Sequence, residues 1–147
     1  MKTEEYSSSH FNLINSYKKY LSGKKVFVFC CNIRDCENVA KALRQGGIPA
    51  DTLHSRMSCR AEQDYALSGI KSGEIKALCV TSSRILKTRC LAKADGLIVL
   101  SRTSSYSRHI SMYEQLDCRG EVLDFTDNFY RFGKPDSFFG NVFSIQI

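Results

Sequence analysis

The strongest constraint on this chain is an alternation. Short apolar runs recur along it, and segments of helical period separate them. Lys25 to Cys31 is almost continuously apolar, which suits a parallel strand buried on both faces. Ala50–His54, Ile75–Thr81, Leu97–Leu100 and Glu121–Phe125 read as further strands. Between the first two, Cys36, Val39, Ala40 and Leu43 fall at i, i+3, i+4 and i+7, one face of an amphipathic helix. Asn32 is placed to cap it and Gly46-Gly47 to stop it. Helices are also predicted at His10–Leu21, with Phe11, Ile14, Tyr17 and Leu21 at helical spacing, at Arg60–Lys71, and at Ser105–Leu116 with Ile110, Tyr113 and Leu116 inward. Strands alternating with helices imply right-handed βαβ units, so the predicted class is α/β, a parallel sheet with helices on both faces.

At 147 residues this is one domain, long enough to bury a core. The longest apolar runs are about six residues, too short to span a membrane. Residues Met1 to His10 are polar, and no signal peptide is expected from them. Three of the seven cysteines, Cys30, Cys31 and Cys79, lie in strand-like runs, where cysteine acts as a small hydrophobe. A reducing compartment without a disulfide framework is the expectation.

Several chemistries lack their residues. Cys30-Cys31 lies between a strand and a helix, as a phosphatase nucleophile does, but Cys36 and Glu37 stand where that chemistry needs an arginine. The chain has no C-x-x-C pair, and His10, His54 and His109 are scattered, so no metal site is implied. There is no G-x-x-x-x-G-K-[ST] loop to hold ATP in the Walker manner, and no cofactor is expected.

The stretch from Thr52 to Cys90 carries seven Lys/Arg against three Asp/Glu, within a chain of net charge +6. It contains a predicted strand ending in the hydroxyl pair Thr81-Ser82, followed by Arg84, Lys87 and Arg89. Ligands of open α/β sheets sit beyond the carboxyl ends of strands, and hydroxyls there can bond phosphate oxygens. Leu53-His54, a helix ending Ile70-Lys-Ser-Gly73, and Leu78-Cys-Val-Thr-Ser82 resemble the second RecA-like domain of DEAD-box RNA helicases, whose pattern is H-G, Q-x-x-R, F-x-x-G, then V-L-[IV]-A-T-[DS]-x-x-x-R-G-[LI]-D. The resemblance covers about Lys24 to Phe125, with most signature residues replaced. The family's H-R-I-G-R segment, which supplies arginines to the transferring phosphoryl group, has its H, R, G and final R on Ser111, Met112, Glu114 and Gln115. Its R-G pair falls on Leu86-Lys87 and its closing aspartate on Arg89.

The resemblance implies an RNA face at Asn32, Arg34, Arg60, Thr81 and Ser82, and the basic residues Arg84 and Lys87 extend it. Contact with the sugar-phosphate backbone gives affinity without sequence readout. The lost arginines imply a catalytically inactive helicase module, not an enzyme. Arg108 precedes the motif by about one turn and is expected to point elsewhere. The pattern of loss resembles that of the tudor-domain factors of the piRNA pathway, the Yb-type proteins, which implies gene silencing, cytoplasmic perinuclear RNA granules and other silencing proteins as partners. A homodimer is expected, through Met112 and Tyr113 first and through Phe138 and Phe139 second. The predicted organisation is a lead-in and helix over 1–23, the RecA-like domain over 24–127, and an aromatic tail over 128–147 that packs on it. The alternative is a working second half of an ATP-dependent RNA helicase, with an arginine supplied by Arg84, Arg89 or Arg108.

Overall fold

A computed structural model describes residues 8–54, 60–89, 93–135 and 142–147. In chain order the elements are α1 (Ser8–Tyr20), β1 (Val26–Phe29), α2 (Ile33–Gln45), β2 (Ala50–Leu53), α3 (Arg60–Ser72), β3 (Ala77–Val80), α4 (Ser83–Arg89), β4 (Ala94–Val99), α5 (Tyr106–Tyr113), β5 (Leu116–Asp124), α6 (Asn128–Phe132) and β6 (Phe143–Gln146). The strands form one sheet in the order β2-β3-β1-β4-β5-β6, and every pairing is parallel. The predicted α/β class with a parallel sheet is therefore what the chain adopts.

The strands alternate side chains between two cores. Val26, Val28 and Cys30 of the β1 segment meet Leu13, Ile14, Tyr17, Val39 and Leu43, so α1 and α2 cover one face. Phe27 and Phe29 meet Ala66, Ile70, Leu86, Met112, Tyr113 and Phe129, so α3 to α6 cover the other. The apolar repeat of α2 serves the first of these cores: Cys36, Val39, Ala40 and Leu43 are all buried. Asn32 caps the helix, accepting the Asp35 N–H at 2.9 Å. At Gly96 of β4 an added Cβ would lie 2.6 Å from Leu21 Cδ2, so the missing side chain is what lets the end of the α1 segment close onto the sheet.

Cys30 and Cys79 are free and buried, as small hydrophobes are, and so is Cys36, whereas Cys31 lies past the end of β1 and is exposed. The Cys36 thiol is held above its ordinary range by its hydrogen bond with Cys30 and by burial, which keeps it protonated and unreactive.

Three features differ from the sequence reading. The residues after Ser82 form α4, a helix not anticipated from the basic run. Leu116 is not a helical residue: α5 ends at Tyr113, and β5 begins at Leu116, with a register shift against β4 between Ala94 and Gly96. The tail joins the sheet, because β6 pairs with β5 from Glu121↔Phe143 to Asp124↔Gln146. A four-residue edge strand with both ends exposed leaves little periodicity to read.

Candidate functional site

The carboxyl ends of β1, β3 and β4 open into a cavity of about 640 Å3. Phe29 and Cys31 come from the end of β1. Thr81, Ser82, Ser83 and Arg84 come from the turn into α4. Ser101, Arg102, Thr103 and Ser104 come from the loop after β4, and Arg108 and Met112 from α5. The strand order explains the meeting: β1 lies between β3 and β4, so their terminal loops converge over it. Among these lining residues are three arginines, six with hydroxyls, and no carboxylate. Such a wall attracts anions and offers donors to bond their oxygens.

The two hydroxyl-rich loops are anchored by different partners. Ser83 Oγ lies 2.8 Å from Ser111 Oγ, which ties the start of α4 to α5. The β4–α5 loop is held by α6. Asn128 is 1% exposed. Its Oδ1 accepts the Thr103 N–H at 3.1 Å, and its Nδ2 donates to the Ser101 carbonyl at 2.9 Å. Arg131 Nη2 donates to the same Oδ1 at 2.6 Å. Asp127 accepts from Arg102 Nε at 2.9 Å and Nη2 at 3.3 Å, and from Arg131 Nε at 2.9 Å. These bonds, that of Arg102 foremost, hold its carboxyl below the usual range. Asp127 stands at the N-cap of α6 but makes no capping bond. Buried Asp124 takes over, accepting the Phe129 N–H at 3.0 Å and the Thr126 N–H at 3.0 Å.

A buried histidine fastens α5 to the end of α6. His109 Nε2 lies 2.8 Å from the Gly133 carbonyl, and the Tyr113 hydroxyl lies 2.8 Å from the same nitrogen. Desolvation lowers the His109 pKa from its ordinary value, against the opposing pull of the Gly133 carbonyl.

Of the residues singled out in the sequence, Thr81, Ser82 and Arg84 meet in the cavity. Asn32 and Arg34 follow directly on Cys31, but neither lines it. Arg60 opens α3 and Lys87 lies within α4; their side chains are outside the described residues, as are Phe138 and Phe139. Met112 and Tyr113 are 4% and 3% exposed. They fill the core under α5 instead of presenting a contact surface, because the inward stripe of this helix runs through His109, Met112 and Tyr113. Arg108 was expected to point away from the motif. It lines the same cavity as Met112, since i and i+4 share one face of a helix. The sequence reading missed Ser101 to Ser104, and gave Arg108 only as an alternative source of the arginine. Their signal was available: Ser101-Arg-Thr-Ser104 follows a buried strand much as Thr81-Ser-Ser-Arg84 does.

No family model matches the chain. In sequence it is 29% identical over 75 residues to DEAD-box ATP-dependent RNA helicase 20 of Oryza sativa subsp. japonica, covering 51% of this chain and 15% of that protein. It is 33% identical over 61 residues to DEAD-box ATP-dependent RNA helicase 30 of the same plant, covering 42% of this chain and 9% of that one. In structure it is similar to the C-terminal domain of the DEAD-box protein Dbp5, with a TM-score of 0.73 at 12% identity, covering 97% of this chain and 85% of that one. It is also similar to the E. coli DEAD-box protein SrmB bound to the regulator of ribonuclease activity A, with a TM-score of 0.69 at 14% identity, covering 94% and 82%. The chain thus spans less than a sixth of the length of these curated relatives. The expectation of a non-enzyme is corrected here. The curated relatives are ATP-dependent RNA helicases, and helicases are enzymes. Arginines line the same cavity from positions other than Met112 and Gln115. The six-stranded parallel sheet, its helices and these similarities together give this chain the fold of the C-terminal RecA-like domain of DEAD-box helicases.

Proposed function

We propose that this chain is the C-terminal RecA-like half of an ATP-dependent RNA helicase, and that its strand-end cavity contacts phosphate. The observation that carries the reading is the cavity wall itself: three arginines and six hydroxyl-bearing residues, with no carboxylate among them. Thr81, Ser82 and Ser104 donate hydroxyl hydrogens to phosphate oxygens, and Arg84 and Arg108 supply the charge. Contact of this kind ignores base identity and weakens steeply with salt. A partner domain that holds ATP would close over the same strand ends. Arg108 then stands one turn before Met112 on the face where the family carries an arginine, and takes its role of stabilising charge on the transferring phosphoryl group. As SrmB is found with a regulatory protein, binding of a protein regulator belongs to this proposal too.

The test uses the full-length protein. RNA-stimulated ATP turnover is measured for the parent and for Arg108→Ala, alongside ATP affinity. The expected result is a turnover lower by about 10³-fold or more with ATP affinity little changed, as for loss of an arginine finger. Unaltered turnover in the variant removes Arg108 from the role. Absence of RNA stimulation in the parent protein removes the helicase reading.

A further inference from the structure

The β4–α5 loop contributes four residues to the cavity, yet residues far along the chain hold it in place. The Asn128 amide binds this loop as a neighbouring strand would. It receives the N–H of Thr103 and donates to the carbonyl of Ser101, a donor and an acceptor two residues apart. Asn128 is also locked from behind by Arg131 Nη2, and its backbone N–H donates to Thr126 Oγ1 at 3.0 Å. The preceding residue, Asp127, holds the guanidinium of Arg102. One turn of helix therefore secures both the backbone and the charged side chain of the loop. Neither Asp127 nor Asn128 lines the cavity itself.

We infer that Asn128 is a positioning residue for the anion-binding cavity, acting through the Ser101–Ser105 loop, with Asp127 setting the direction of Arg102. The inference rests on the reading of the cavity as a phosphate site. The physical reason is pre-organisation. A loop already ordered loses little conformational freedom when an anion binds, whereas a loose one must be ordered by the ligand. Asn128 is suited to the task because a side-chain amide offers a donor and an acceptor at once. Aspartate keeps the acceptor for Thr103 and loses the donor for Ser101.

The experiment compares Asn128→Ala, Asn128→Asp and Phe129→Leu in the full-length protein, well below the unfolding temperature of each. Phe129→Leu disturbs the same helix without touching the loop bonds. Amide exchange at 101–105 is read beside the affinity for a single-stranded oligouridylate. Asn128→Ala is expected to speed exchange at Thr103 by about ten-fold or more while the β1–β3 amides stay protected. It is expected to weaken RNA binding by about three- to ten-fold, with Asn128→Asp between it and the parent. Phe129→Leu is expected to lower the unfolding temperature and leave both readouts in place. Unchanged exchange at Thr103 in Asn128→Ala overturns the inference. So does faster exchange with unaltered affinity, where the double reversal Arg84→Glu, Arg108→Glu does weaken binding. If that double reversal leaves RNA affinity intact, the phosphate reading of the cavity falls, and the positioning role falls with it.

Discussion

The two loops that line the cavity carry similar residues and are built on different principles. Thr81-Ser82 passes directly from β3 into α4, which begins at Ser83. Its course follows from the strand before it and the helix after it. The loop from Leu100 to Ser105 has farther to run between β4 and α5. Its shape is imposed by Asp127 and Asn128, about 25 positions away. A strand-end site can thus be assembled from one locally determined wall and one wall that depends on the rest of the fold.

The largest effect tests the floor common to both loops. Met112→Glu places a carboxylate in the buried core that also holds Phe27, Phe29 and Leu97, and should destabilise the domain by about 3–5 kcal/mol. Denaturant unfolding measures it. A loss below about 1 kcal/mol would mean that the helix can turn this residue to solvent and that both walls sit on a movable floor.

Asn128→Ala comes next. It strands the Thr103 N–H and the Ser101 carbonyl and removes one of the bonds of Arg131, and should lower stability by about 2–3 kcal/mol. Unfolding curves of the two alanine variants, Asn128→Ala and Ser83→Ala, measure the difference between the walls. Equal losses would erase the distinction drawn here.

A smaller effect is expected from acid. His109 is neutral and buried in the folded state, with its pKa below the unfolded value of about 6.5. The unfolded chain binds the proton more readily, so stability is full above that value and declines as pH falls toward the folded pKa. Arg131 and Asp124 are the charges that act on it, in opposite directions. The decline between pH 7.5 and 5.5 should be reduced in His109→Gln, as read from chemical unfolding across that range. Asp127, whose pKa is lowered, loses its contribution in a separate and more acidic window, as pH falls through its folded pKa. An unchanged decline in His109→Gln would detach the α5–α6 fastening from the pH response.

The smallest expected change is at Ser83→Ala. The Ser83–Ser111 bond is a single hydroxyl pair at a partly exposed position, and its loss should alter stability by no more than about 1 kcal/mol. A larger loss would show that the first wall is also held at a distance.

Legibility in the sequence follows the same division. The alternation of Lys25–Cys31, Cys36–Leu43 and the later runs was enough to place β1 to β5 in a parallel sheet, because burial on both faces leaves a continuous apolar signature. Thr81 and Ser82 were found because they adjoin such a run. Ser101–Ser104 adjoin another, but no position of the family's motifs falls on them. Helical spacing already turns Tyr113 inward, and the expectation of a contact surface at Met112 and Tyr113 follows the motif alignment, which says nothing of which way a helix faces. The buried role of Asn128 had no local signal: an Asp-Asn pair before an aromatic segment looks like an ordinary helix cap.

By itself, then, the sequence determined the first five strands, that the sheet is parallel, and that a basic, hydroxyl-rich surface lies beyond the strand ends. Those are consequences of periodicity and composition within a few residues. The tertiary structure decided that β1 separates β3 from β4, that Arg84, Arg102 and Arg108 share one cavity, and that the tail returns as α6 to hold its second wall and as β6 to extend the sheet. Hydrogen bonds between groups 25 residues apart exist only once packing has brought their elements together, and no local pattern encodes that meeting.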